Sequence, residues 1–268
     1  MKWLAAIAIV GLGHSAALGA SSNAEAVSIW RIDTASVDEL YNLKKRDSFL
    51  DLKILPAELV EIEGDVVDVG TTGVKATAGG QYIRYSLQAA GSNRTVYCSS
   101  KTLDQMKKGG SVFYFRCGGT YLCLVDTDGD VMLDGVYEVR STLGSGIPII
   151  THGQMDGYER ITPISYRHVE PSLFDNPISF RLFWESGNAL TDRILFKPMI
   201  EGEDWEDSLY LDGYVGLNKG EVPGRFSFLN LTFDVASDTT KRASITVSRS
   251  PGNVMMRVTG TRVDLGVS

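Results

Sequence analysis

The sequence predicts an all-β protein, mainly antiparallel, folded as a β-sandwich or a barrel-like sheet with one or two short peripheral helices. Three observations carry that expectation. Apolar residues recur at every second position in most of the patterned runs, which puts one face of a strand in a core and the other in water. Turn signals rich in Gly, Asp, Asn and Pro separate these runs at short intervals. Helical patterns long enough to link parallel strands are missing between them, so antiparallel connections are expected. At 268 residues, 43% hydrophobic and 22% charged, the chain can bury one large core or two small ones. The same composition excludes a disordered chain, and glycine without a three-residue period excludes collagen.

The first residues stand apart. Residues 1–20 read MKWLAAIAIVGLGHSAALGA, one Lys ahead of an apolar run from Trp3 to Gly13, with small residues behind. That is the layout of a secretory signal peptide, with cleavage expected after Gly19 or Ala20 and a second small-residue site at Ala24-Glu25-Ala26. The run falls short of the ~20 apolar residues of a membrane-spanning helix. Ser21 stands where a lipoprotein would carry Cys. The expected division is a signal peptide, 1–20, and one all-β domain, 21–268, exported to the periplasm or the extracellular medium. A division of that domain into two lobes would fall in the glycine-rich stretch 143–157.

Within 21–268 the elements follow in order. Ser36-Val37-Asp38-Glu39 has capping-box spacing, and Val37, Leu40 and Tyr41 share a helical face, so a short helix is expected to end near Lys44 or Lys45. In 58–69, Val60 and Ile62 point inward, and a β-bulge at Gly64 shifts the inward parity to Val67 and Val69. Ile83, Tyr85 and Leu87 alternate with Arg84, Ser86 and Gln88. Thr102-Leu103-Asp104-Gln105 opens a second short helix, closed by Lys107, Lys108 and Gly109. Ile178, Phe180, Leu182 and Trp184 form one more inward row, and Ala243, Ile245 and Val247 another. Turns are marked at Gly79-Gly80, Gly118-Gly119, Asp128-Gly129, Asp175-Asn176-Pro177, Pro223-Gly224 and Ser250-Pro251-Gly252-Asn253.

Residues 126–138 read DTDGDVMLDGVYE. Asp126, Asp128 and Asp130 take positions 1, 3 and 5 of a calcium-binding loop, and Asp134 takes position 9. Over about a dozen residues this resembles the calcium loops of EF-hand and dockerin-like proteins. Val131 stands where such a loop turns on Gly, Tyr137 where it has its bidentate Glu, and flanking helices are missing. A looser calcium loop between strands remains, set against a plain hairpin with Asp128-Gly129 as a type I′ turn and Leu122–Val125 paired to Val131–Asp134. Four carboxylates crowded at one end of a hairpin repel unless a cation sits among them.

Three cysteines, Cys98, Cys117 and Cys123, surround this region, and an oxidising compartment lets them pair. If Gly118-Gly119 forms a two-residue hairpin, Cys117 and Cys123 point to opposite faces, so Cys98–Cys117 or Cys98–Cys123 is expected. Histidine offers little: His168 shares parity with Ile164 and Tyr166 and is expected in the core, and His152 in an exposed turn. Glu61 and Glu63 project from one strand face ~7 Å apart. Trp205 lies in the acidic run 201–207 between Asp204 and Glu206, where its ring could stack on a sugar.

The functional expectation is an exported, non-catalytic β-rich binding or structural protein of the cell envelope, stabilised by calcium. Two alternatives belong to other classes. One is a secreted polysaccharide hydrolase using carboxylates among Glu61, Glu63, Asp204 and Glu206 beside Trp205. The other is an outer-membrane β-barrel. Removal of residues 1–20 takes the formal net charge from −7 to −8, and a chain this acidic without a basic stripe is not expected to bind nucleic acid.

Overall fold

The computed structural model describes residues 25–34, 39–67, 73–89, 92–103, 120–140, 158–176, 178–185, 194–202, 209–211, 214–218, 221–239, 242–249, 254–259 and 263–267. The strands are β1 (Glu25–Ile32), β2 (Glu39–Lys44), β3 (Ser48–Pro56), β4 (Leu59–Ile62), β5 (Val66–Val67), β6 (Val74–Ala76) and β7 (Gln81–Ala89). They continue with β8 (Ser92–Thr102), β9 (Thr120–Val125), β10 (Leu133–Arg140), β11 (Glu159–Ile164), β12 (Tyr166–Val169), β13 (Ile178–Trp184) and β14 (Ile194–Gly202). The last are β15 (Leu209–Tyr210), β16 (Val215–Leu217), β17 (Gly224–Phe228), β18 (Leu231–Thr239), β19 (Arg242–Arg249), β20 (Val254–Val258) and β21 (Val263–Val267). All pairings are antiparallel, and the protein is all-β.

Both architectures expected as alternatives are present. β4, β7, β8, β9, β10 and β11 pair in that order. Only Ser165 separates β11 from β12, and β12 pairs back onto β4, which closes the circuit into a barrel. Val60, Ile62, Tyr82, Tyr97, Leu122, Leu124, Val136 and Ile161 fill its interior, together with Val66 and Ala76 from the β5–β6 ribbon. The second part is a sandwich. One layer holds β20, β1, β3, β13 and β14, and the other runs β17-β18-β19-β2. Aromatic rings lock the layers: across them Phe49 meets Phe233 at 6.4 Å and Phe196 meets Phe226 at 6.1 Å, while within them Phe49 packs on Phe196 at 5.1 Å and Phe226 on Phe233 at 4.6 Å. β1 belongs to both parts, since Glu25–Val27 pair with β7 and Ser28–Ile32 with β20. The Trp30 indole N–H donates to Ser28 Oγ at 2.9 Å at the crossing point, where both residues are buried.

The rows at Ile83–Leu87, Ile178–Trp184 and Ala243–Val247 point inward as expected. Three expectations are corrected. Residues 39–44, expected as helix, form the edge strand β2, paired with β19. Tyr41 and Leu43 turn toward the sandwich core while Leu40 is 63% exposed, so the period is two, and sheet pairing overrides local helix spacing. Gly64 is not a bulge within one strand: β4 ends at Ile62 and the chain bends away into the β5–β6 ribbon. Val66 is therefore buried and Val67 is 46% exposed, the reverse of the expected parity. Third, Leu122–Val125 pair with Gly135–Glu138 and not with Val131–Asp134, so Asp128-Gly129 is no two-residue turn but part of a longer loop. The expected helix from Thr102 runs into residues outside the described set, as do the signal peptide, 143–157 and Gly118-Gly119. Among the described residues, no helix is long and apolar enough to cross a membrane.

Candidate metal centre on the barrel

The β9–β10 loop is positioned by an inflexible base. Val125 pairs with Gly135, and a Cβ on Gly135 would lie 2.8 Å from the Val125 side chain and 2.9 Å from the Tyr158 ring, so only glycine closes the loop there. Behind it, Cys98 and Cys123 occupy directly opposed positions of β8 and β9, fully buried, and are joined as a disulfide. Of the two pairings expected for Cys98, this is the one formed, and Cys117 lies outside the described residues. A buried structural disulfide fits an oxidising, extracytoplasmic environment.

Between Val125 and Gly135 the aspartates organise the backbone. Asp126 accepts the Gly129 N–H at 2.7 Å on one oxygen and the Val131 N–H at 3.0 Å on the other. Asp128 accepts the Asp130 N–H at 3.3 Å, and Asp130 accepts that of Met132 at 2.9 Å. Gly129 has φ +84°, which glycine adopts without cost. Val131 has φ +69° and is 63% exposed: the left-handed turn made by Gly in calcium loops is made here by a β-branched residue under strain.

This coil brings one carboxylate oxygen each from Asp126, Asp128 and Asp130 within 4.8 Å of one another, at the surface. The group could hold a metal ion. Asp134 is not gathered with them. Its carboxylate accepts the Thr127 N–H at 2.8 Å and the Thr127 hydroxyl at 2.5 Å, so it braces the two ends of the loop against each other. Burial pushes the Asp134 carboxyl up, but the Thr127 hydrogen bonds and the charge of Arg160 outweigh it and hold the group below its usual value.

The remaining sequence candidates are dispersed. Glu61 receives Arg167 Nη2 at 2.6 Å, and Glu63 receives the Ser165 hydroxyl at 2.7 Å, so each carboxylate is engaged across the β4–β12 side of the barrel. His168 is not in the core, as parity had suggested. β12 lies where the barrel closes, and the imidazole is 62% exposed with Nδ1 3.6 Å from Glu58. Asp204, Trp205, Glu206 and His152 lie outside the described residues. Neither a family model, nor a curated protein, nor a solved structure matches this chain.

Proposed function

We propose that this chain is an exported, non-catalytic β-rich binding or structural protein of the cell envelope, whose 126–132 loop is stabilised by calcium. The observation that carries the reading is the span of the Asp126–Asp128–Asp130 oxygens, all within 4.8 Å. Three carboxylate oxygens this close can share one hard cation, and calcium, which takes six to eight oxygen ligands in flexible geometry, would be completed by backbone carbonyls and water. Export is supported by the signal-like residues 1–20 together with a disulfide that a reducing cytosol would not favour.

The test is thermal melting of the chain from residue 21 in excess calcium, in excess magnesium and in chelator, beside Asp128→Ala. A ligand bound only by the folded state at a hundredfold excess over Kd adds about 2.7 kcal/mol. At this chain length that raises the midpoint by several degrees. The expected result is a shift specific to calcium and absent in Asp128→Ala. Identical melts in all conditions would reduce the loop to a connection.

A further inference from the structure

Where the barrel closes, a polar cluster takes positions that face its interior. Val60 and Ile62 fill that interior, and His168 and Tyr166 stand directly opposite them across the β4–β12 pairing. Arg84 stands opposite Tyr97 on the β7–β8 pair, and Tyr97 belongs to the same interior cluster. Glu58, just before β4, reaches both groups. Its Oε2 accepts Arg84 Nη1 at 2.8 Å, while Oε1 accepts the Tyr97 hydroxyl at 3.4 Å and lies 3.6 Å from His168 Nδ1. The Tyr97 and Tyr166 rings are 5.2 Å apart, and the His168 ring meets Tyr166 edge-on at 5.7 Å, so three rings make one wall. Side-chain exposure falls from 62% at His168 and 47% at Arg84 to 27% at Glu58, and Tyr97 is buried, which makes an open mouth over a closed floor.

We infer that this mouth binds a zwitterionic α-amino acid with an apolar or aromatic side chain. Both charged groups have bonding capacity to spare. Glu58 Oε1 has contacts only at 3.4 and 3.6 Å, longer than the short hydrogen bonds a carboxylate takes from a close donor. Arg84 spends Nη1 on Glu58, and its other guanidinium N–H groups have no partner among the described residues. The carboxylate oxygen calls for a cationic donor and the guanidinium for an anionic acceptor, side by side. A lone cation would meet Arg84, and a lone anion would meet Glu58. A ligand that carries both charges on neighbouring atoms suits the pair, with its ammonium on Oε1 and its carboxylate on Arg84. The charges balance: Glu58 and Arg84 cancel, neutral Tyr97, Tyr166 and His168 add nothing, and a zwitterion leaves the sum at zero. The other charges of the pairing, Glu61 and Arg167, occupy the alternate outward positions and bind each other at 2.6 Å. The ring wall then packs the ligand's side chain and offers a π face to its ammonium.

The test titrates the full chain with L-phenylalanine by calorimetry, beside N-acetylphenylalanine, which lacks the ammonium, and phenylalaninamide, which lacks the carboxylate. One phenylalanine should bind per chain, and each analogue at least about tenfold more weakly, because each leaves one charged partner unmatched. Glu58→Gln should erase the preference over the N-acetyl analogue, and Arg84→Gln the preference over the amide, in variants whose melting midpoints match the native chain. The series on the native chain carries the test whether or not those variants fold. Absence of phenylalanine binding would overturn the site. An N-acetyl analogue or an amide that binds as tightly as phenylalanine would overturn it too, leaving a simple anion or cation site. Preferences that survive both substitutions would place the binding elsewhere. The site uses no residue of the aspartate loop, so its failure leaves the calcium reading untouched.

Discussion

In the sandwich, rings hold the layers: Phe49, Phe196, Phe226 and Phe233 pack between the sheets, joined by Phe180, Trp184 and rows of aliphatic residues. In the barrel the interior is narrower and mixed, a buried disulfide staples β8 to β9 on the side facing the larger core, and polar side chains crowd the rim and the closing seam. The aspartate loop and the Glu58 cluster both belong to the barrel, and one strand, β1, ties the two parts together. The difference teaches a division of labour. Stability that comes from close-packed rings leaves no polar group to spare, whereas a stapled barrel can place carboxylates, phenols and an imidazole at its openings.

Four perturbations break or sharpen this contrast. The largest effect is expected for Phe233→Ala, which removes a fully buried ring from the centre of the sandwich and should cost about 3–5 kcal/mol in denaturant unfolding. A loss below about 1 kcal/mol would mean that the rings do not hold the layers. Replacing Cys98 and Cys123 together by Ala opens a loop with a sequence separation of 25 and should cost about 3 kcal/mol. Equal stability of oxidised and reduced protein would deny the staple its role.

Val131→Gly should act in the opposite direction, raising stability by about 1 kcal/mol. It relieves a left-handed β-branched residue, loses no buried contact, and gives back part of the gain through the unfolded-state freedom of glycine. The smallest effect is the acid limb of the pH profile. The folded-state pKa of Asp134 is lowered, so its contribution is present above the unfolded value of about 3.9 and is lost as pH falls through the folded value. Asp134→Asn should flatten that limb, as read from melting midpoints between about pH 2 and pH 5. An unchanged limb would remove the brace.

How much of this could be read in advance depended on whether a residue's surroundings lie near it in the chain. β13 and β19 were legible because one face of each meets the core and the other does not, so the period of two survives along the strand. β9 carries no such period: Tyr121 through Val125 are all buried, since one face fills the barrel and the other the larger core. β2 carries a helix-like pattern because its capping-box spacing is local, while its partner, β19, lies some 200 residues away. The β17–β18 hairpin turns on Leu229-Asn230, both at positive φ, without a glycine to announce it, and burial of Leu229 holds it there. The same rule separates two side-chain clusters. Three aspartates spaced by two carry their own geometry, whereas Glu58, Tyr97, Tyr166 and His168 acquire meaning only when the barrel closes.

The aspartate loop at 126–132 could hold a metal ion, and we propose that this ion is calcium. Calorimetric titration of calcium into the metal-free exported chain tests it most directly, with Asp126→Asn and Asp128→Asn alongside. One calcium is expected to bind per chain, with binding lost in both variants. Absence of binding by the native chain, or binding undiminished in both variants, would contradict it.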